Sequence, residues 1–401
     1  MTITSTAVPH SAGFLSGRLA AITQKIQADI HAQRIPGAVM LVSHKGECIF
    51  ENALGQQDAA HNIPMAMDSI FRIYSMTKPI VSMALMMLVE EGKLLISDPV
   101  STYLPEFKKL KVGIEKTGSD GKSTLELAPA KQEMTVQDLL RHTSGLTYGI
   151  FGESLVKTAY SQAGVERSGI TNAELITELA KLPLAYHPGT VWEYSRSTDV
   201  LGALLERLSG QTLDVHLRER ILAPLGMHET GFSVAPENHH RIAEAFATDP
   251  DSGKPVKLLD VRHPPSFLSG GGGLVSTAHD YLRFAHMLLN EGELDGVRLV
   301  SRKTLRYMSS DHLGDIPDAK AGANYLPGPG YGFGLGFAVR TSTGAGLTAG
   351  SVGDFNWSGL AGTYFWIDPQ EQLAAIFLMQ APEQRSHYRQ LYRNLVYAAL
   401  T

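Results

Sequence analysis

The run from Val81 to Val89 constrains this chain more than any other, because it is apolar on nearly every side of a helix. A surface helix carries one apolar stripe, whereas a helix that is apolar all round must be enclosed by other elements. The pattern predicts a helix over Ser75–Glu91. Pro79 falls in its first turn, where a missing N–H costs little, and Gly92 stops it. The run is far too short to span a bilayer. The fold must therefore be large enough to surround it, and 401 residues, 43% of them hydrophobic and 19% charged, can build such a core.

The flanking patterns show how the enclosure is made. Leu19–Ala32 reads as an amphipathic helix, broken by Ile35-Pro36-Gly37. Two strands follow, Ala38–Ser43 and Glu47–Leu54, about a turn at His44-Lys45-Gly46. Residues 107–133 are polar and glycine-punctuated, as in an exposed hairpin or loop. Helical patterns begin at Thr135, which runs to Ser144-Gly145, and recur at 173–181, 199–209 and 213–221. Gly270–Gly273 and Ser276-Thr277 lead into a helix over Asp280–Glu291. Strands are expected at 332–339, 362–367 and 372–379, and a closing helix at 385–400. Sheet-forming ends thus surround a helical middle. The expected fold is α/β of the α+β type: an antiparallel sheet flanked by helices, with an inserted all-helical lobe. Residues 1–74 and 270–401 form the sheet domain and 75–269 the helical one, with a ligand site in the cleft between them.

Several function classes drop out. Lys and Arg number 35 against 40 Asp and Glu, a net charge of −5, and no basic stripe is present, so no nucleic-acid partner is expected. Cys48 is the only cysteine, which excludes an intramolecular disulfide and a thiolate metal site; between apolar neighbours it is expected to be buried and inert. No H-E-x-x-H is present and His239-His240 sits in a polar stretch, so neither a metal nor a cofactor is expected. Met1–Phe14 lacks a basic segment followed by a long apolar one, so the expected location is cytoplasmic, without membrane attachment, as a monomer or small homo-oligomer.

The chemistry concentrates at Tyr74-Ser75-Met76-Thr77-Lys78. An S-x-x-K pair on a helix puts both side chains on one face, one turn apart. A serine hydroxyl needs a base, and a lysine amine serves as one when desolvation or neighbouring positive charge lowers its pKa. The pattern alone is weak, since Ser119–Lys122 and Ser154–Lys157 repeat it in polar, exposed-looking segments. Position at the mouth of an enclosed helix singles out Ser75. No G-x-S-x-G occurs, which argues against an α/β-hydrolase elbow. Gly121-Lys122-Ser123 lacks the leading glycine of a P-loop. His142, at a helix end before Thr143-Ser144-Gly145, reads as a structural cap.

Taken with Ile35-Pro36-Gly37-Ala38, Asp138–Leu146, Tyr194-Ser195-Arg196 and Gly270–Thr277, in that order and spacing, the Ser75 motif resembles the serine β-lactamase and penicillin-binding protein superfamily. Within it, the chain resembles the class C β-lactamase-like family VIII carboxylesterases from about Leu19 to the C-terminal helix. The resemblance implies a β-lactamase/transpeptidase-like fold, Ser75 as acylated nucleophile, Lys78 as its base partner and Tyr194 as a phenol that shares the proton. It also implies an oxyanion hole from the backbone N–H groups of Ser75 and Leu360, with Trp357, Ser358 and Gly359 on the substrate and Tyr148 at the entrance. Two departures matter. The family's Asn is Arg196, and the lysine of its late K-T-G box is Trp357; Lys116-Thr117-Gly118 spells that box at the wrong place in the chain. An uncharged, aromatic-walled site favours a small neutral ester over an anionic β-lactam. The expected activity is therefore short-chain ester hydrolysis, with β-lactam, D-amino-acid peptide or amide hydrolysis and acyl transfer as alternatives.

Overall fold

The computed structural model describes residues 13–165, 169–322 and 324–401. The polar N-terminal stretch, residues 1–12, lies outside them. The N-terminal helix α1 (Ser16–His31) is followed by the hairpin of β1 (Gly37–His44) and β2 (Glu47–Asp58), extended by the short β3 (Ile63–Pro64). Then come β4 (Phe71–Arg72) and, after a single 3-10 turn at Tyr74–Met76, α2 (Thr77–Glu90). Ser75 lies in that turn, so the α-helix proper begins two residues later than the periodicity predicts. Thr77 through Leu88 are all buried, as an all-round apolar helix requires. The stop is Gly92, at φ +70°, a conformation that suits glycine.

The middle of the chain carries one exposed hairpin, β5 (Lys111–Thr117) and β6 (Ser123–Pro129). The helices α3 (Val136–Leu140), α4 (Leu155–Ala163), α5 (Asn172–Leu179), α6 (Ser197–Ser209) and α7 (Leu213–Leu217) follow. Helix α3 is much shorter than expected. A capping box between Thr135 and Asp138 starts it, and His142, at φ +60°, turns the chain out of it. The second S-x-x-K is also resolved differently. Ser154 caps α4, and Lys157 is buried in an ion pair with Glu193 at 2.7 Å rather than exposed.

Strand β7 (Val275–Ser276) pairs with β4 and leads into α8 (Ala278–Leu289). Then follow β8 (Glu293–Leu294), β9 (Val297–Arg298), α9 (Arg302–Met308), β10 (Tyr331–Phe333), β11 (Ala338–Arg340), β12 (Phe355–Ser358), β13 (Tyr364–Asp368), β14 (Leu373–Leu378) and α10 (Arg385–Tyr397). The single strand expected at 332–339 is two. Gly334 and Gly336, the latter at φ +102°, bend the run into a β10–β11 hairpin. The strand β12 holds Trp357 and Ser358.

Eight strands form one antiparallel sheet in the order β10-β11-β12-β13-β14-β1-β2-β3, so the earliest strands join the last ones. All of β1 is buried, because both faces are covered. Ala38, Met40 and Val42 face α1 and α10 along with Trp366, Phe377, Tyr388 and Tyr392. Val39 and Leu41 face α8 and the helical middle. Each face thus takes alternate residues of the strand. The arrangement matches the expected antiparallel sheet between helices. Cys48 departs from expectation: it is exposed. A bulge leaves Ile49 without a register partner between Val42↔Phe50 and Ser43↔Cys48, which shifts the strand's alternation and turns Cys48 outward.

Candidate active site

Ser75 is delivered by a strained approach. Tyr74, immediately before it, sits at φ +44°, a left-handed conformation that costs a non-glycine residue about 1–2 kcal/mol. The Tyr74 hydroxyl accepts the Leu259 N–H at 2.9 Å, which helps to hold the turn. Lys78 follows one turn on and is buried. Its Nζ donates to the Ser75 hydroxyl at 3.3 Å, to the Tyr148 hydroxyl at 3.1 Å and to the Gly271 carbonyl at 2.6 Å. Three acceptors for three N–H bonds is the complement of an ammonium. The same Nζ lies 4.5 Å from the centre of the Tyr194 ring.

The electrostatics reverse one expectation. Burial does push the Lys78 amine down, but the Tyr148 and Tyr194 phenols and the Asp199 carboxylate outweigh it, and its pKa ends above the ordinary lysine value. Burial holds the Tyr148 phenol well up, so it stays neutral. His142 stays neutral as well, pushed well down by burial and by the Lys78 charge. Its ring packs among Trp192, Tyr194 and Phe333, and its Nδ1 is 3.2 Å from the Ser195 hydroxyl, which fits the structural role expected of it.

Ser75 opens onto a cavity of about 380 Å³. Tyr194, Trp357, Ser358, Gly359 and Leu360 line the same cavity, with Phe151 and Tyr331 added to the aromatic wall. Lys78 and Tyr148 lie behind Ser75. Tyr148 is thus not at the entrance as expected. It is buried, and its hydroxyl reaches inward to Lys78 because its ring is clamped against Phe151 and Tyr194. Nor is the wall uncharged, since Arg385, Arg389 and Arg393 of α10 border it. Exposed Leu326 and Leu347 form part of the rim.

The Leu360 N–H, the second expected oxyanion donor, follows the late box. β12 packs beside the Tyr74–Met76 turn, and the tight turn Gly359–Gly362 follows it, closed by the Gly362 N–H on the Gly359 carbonyl at 3.2 Å. A Cβ on Gly359 would collide with the Ile73 carbonyl and the Thr363 side chain, so only glycine allows this approach. Among the described residues, neither the Ser75 nor the Leu360 N–H donates to any acceptor.

Sequence reasoning missed what stands behind Lys78. Asp199, fully enclosed on the first turn of α6, accepts from the Gly271 N–H at 2.9 Å, the Ser269 hydroxyl at 2.6 Å and Arg196 at 3.2 Å. It therefore holds the glycine run whose Gly271 carbonyl meets Lys78. The i, i+3 spacing of Arg196 and Asp199 was the one available signal. Arg196 stacks over Tyr148, its guanidinium carbon 4.9 Å from the ring centre, so it is committed to Asp199 and Tyr148. Among the described residues no acid, histidine or cysteine cluster is arranged to hold a metal, and no helix is long and apolar enough to cross a membrane.

The arrangement has counterparts in known proteins. The beta-lactamase family model matches residues 22–399. The protein Rv1367c of Mycobacterium tuberculosis is 36% identical over 371 residues, covering 91% of this chain and 90% of its own. Esterase EstB of Burkholderia gladioli is 31% identical over 398 residues, covering 93% and 92%. The solved structure of EstCE1, described as a hydrolase with promiscuous acyltransferase activity, superposes with a TM-score of 0.79 at 26% identity over 95% of this chain and 99% of that one. The simvastatin synthase LovD of Aspergillus terreus, at 23% identity over 95% and 98%, has a TM-score of 0.79 and shares the fold. A match over almost the whole length, relatives above 30% identity and the same sheet between helices lead to one conclusion: the chain belongs to the beta-lactamase family of serine hydrolases and has the β-lactamase/transpeptidase-like fold.

Proposed function

We propose that the protein is a carboxylesterase that cleaves short-chain esters through an acyl-enzyme on Ser75, with weak or no β-lactamase activity. The observation that carries this reading is the Ser75 hydroxyl facing the cavity with the Lys78 ammonium 3.3 Å behind it. With Lys78 held as an ammonium, the proton acceptor is Tyr194 as a phenolate, its own proton released to solvent and its charge paired with the Lys78 ammonium. It takes the Ser75 proton as Oγ attacks the ester carbonyl, and returns it to the departing alcohol. Lys78 keeps the Ser75 oxygen and Tyr194 oriented. The Ser75 and Leu360 N–H groups receive the negative charge that develops on the carbonyl oxygen, a donor pair in which each N–H is worth about 3 kcal/mol. Water then repeats the attack on the acyl-enzyme and releases the acid. On this reading the site lies where the sheet domain, residues 1–74 and 270–401, meets the helical one, residues 75–269.

Arg196 and Trp357 support the low β-lactamase activity. Arg196 is occupied by Asp199 and Tyr148 and offers no side-chain amide, and Trp357 replaces a cation with an indole. A second reading, acyl transfer to an alcohol, is favoured by a cavity of about 380 Å³ that has room for an acceptor beside a short acyl group. Intact-mass spectrometry after a brief pulse of p-nitrophenyl butyrate tests the first reading. A butyryl adduct mapped to Ser75 and lost in Ser75→Ala is expected; full turnover by Ser75→Ala refutes it. Nitrocefin ranks the β-lactamase side, and added butanol ranks the transferase side.

A further inference from the structure

Helix α10 turns Arg385, Arg389 and Arg393, spaced four residues apart, toward the cavity. Their surroundings differ sharply. Arg393 pairs with the buried Asp354, which it shares with Arg340, and also donates to the Tyr364 hydroxyl and the Ala349 carbonyl. Arg389, one turn earlier, has no carboxylate partner among the described residues. Its one hydrogen bond runs from Nη2 to the Gly359 carbonyl at 2.6 Å, and its Nε is buried without a partner. Burial, and then the neighbouring Arg385 charge, push its pKa down to about 10. A half-buried guanidinium with no counter-charge and an unpartnered buried Nε is an unfavourable arrangement, and packing alone does not require it.

The identity of its acceptor suggests a reason. The Gly359 carbonyl and the Leu360 N–H belong to one peptide unit. In a planar trans peptide the two point in opposite directions, so whatever fixes the carbonyl aims the N–H. The unit is anchored from several sides. The Gly359 N–H donates to the Thr363 carbonyl at 2.8 Å, the Gly362 N–H to the Gly359 carbonyl at 3.2 Å, and the Thr363 hydroxyl to the Ile73 carbonyl at 3.2 Å, two residues before Ser75. Arg389 supplies the only charged contact in this set. On the other side of the peptide the Leu360 N–H is left without an acceptor, bordering the same cavity as Ser75.

We propose that Arg389 is a positioning residue for the oxyanion hole: its hydrogen bond to the Gly359 carbonyl holds the Gly359–Leu360 peptide with its N–H toward the reacting ester carbonyl and polarises that N–H. The inference rests on the reading of Ser75 and Leu360 as the oxyanion donors. It also gives the missing counter-charge a role. An Asp or Glu beside Arg389 would cancel its field, whereas the unneutralised cation favours the anionic transition state over the neutral bound ester.

The test compares the full-length wild type with Arg389→Met, Arg389→Gln and Arg389→Lys. Each is assayed for turnover of p-nitrophenyl butyrate, for inhibition by butylboronic acid, which adds to a serine hydroxyl as a tetrahedral anion, and for thermal midpoint. Arg389→Met should lower kcat by about 10- to 100-fold, the range for weakening one oxyanion donor. KM should stay within about twofold, and boronate inhibition should weaken by a factor similar to that in kcat. Arg389→Lys should recover part of both losses. Unchanged kcat and boronate affinity in folded Arg389→Met, or a loss confined to KM, overturns the proposal. If Arg389→Met does not fold, Arg389→Gln carries the comparison: it keeps a donor but not the charge, and wild-type values in it overturn the proposal equally. Failure of the underlying site reading looks different, because the wild type itself would then form no boronate adduct on Ser75 by mass spectrometry.

Discussion

Replacing Tyr148 by Phe removes one oxygen from behind the site and little else. The ring is buried against Phe151 and Tyr194, at centroid distances of 5.6 and 5.4 Å, and phenylalanine keeps those contacts. The lost oxygen accepts one of the three Lys78 N–H bonds, at 3.1 Å, in a place where the displaced N–H finds no ready substitute. A hydrogen bond to a charged group is worth about 1.5–3 kcal/mol. If it is felt fully in the acylation transition state, kcat for p-nitrophenyl butyrate falls by about 10- to 100-fold. KM should hardly move, since Tyr148 does not line the cavity. The pH profile moves as well. The neutral Tyr148 hydroxyl accepts a hydrogen bond from the Lys78 ammonium and so favours its charged form; without it the amine drops and the alkaline limit of activity shifts to lower pH. Activity within twofold of wild type refutes the reasoning. So does a rise in KM with kcat unchanged, which would return Tyr148 to the substrate-binding role that its sequence position suggests.

Three further outcomes are expected. Asp354→Asn leaves Arg340 and Arg393 buried without their carboxylate and should cost about 3–5 kcal/mol in guanidinium chloride titrations; a loss below 1 kcal/mol contradicts the network. His142, His216, His286 and His312 are all held below the ordinary histidine value, chiefly by burial. Below about pH 6.5 the unfolded chain binds more protons than the folded one, so stability is full above that pH and falls by up to about 1.4 kcal/mol per unit for each group as pH drops toward the folded values. Thermal midpoints measured from pH 7.5 to 5 check this, and a midpoint that rises on acidification refutes it. Cys48, though exposed, has its thiol pushed up to about 11 by desolvation and by Glu51, so labelling with dithionitrobenzoate at pH 8 should be slower than that of free cysteine and should accelerate toward pH 10.

The parts of the molecule readable from sequence are those fixed by short-range chemistry. The enclosure of α2 follows from its lack of a polar face, the Thr135–Asp138 cap from its spacing, and the Ser75–Lys78 pair from one helical turn. What escaped depends on closure over long separations. Tyr148 is turned inward by rings that arrive from residues 151 and 194, and Lys157 is buried because Glu193 waits for it. The Gly359 carbonyl gains its cation from α10, thirty residues on. Cys48 was misplaced for a local reason of another kind, a one-residue bulge that periodicity cannot reveal. The Lys78 amine was expected to be lowered by burial, and the reversal comes from Tyr148, Tyr194 and Asp199, groups brought near it only by the fold.

The pairing of β1 with β14 has a bearing on how the protein comes into being. Synthesis runs from the N-terminus, so the first hairpin must wait on the ribosome for a partner made some three hundred residues later. Ser75, Lys78, Tyr148 and Tyr194 all emerge long before β12 and the Gly359–Leu360 peptide. The reactive serine is therefore assembled in two instalments, and a nascent chain arrested near residue 340 should carry the nucleophile yet resist acylation. Such an order would keep the proposed catalytic centre silent until the central sheet has closed.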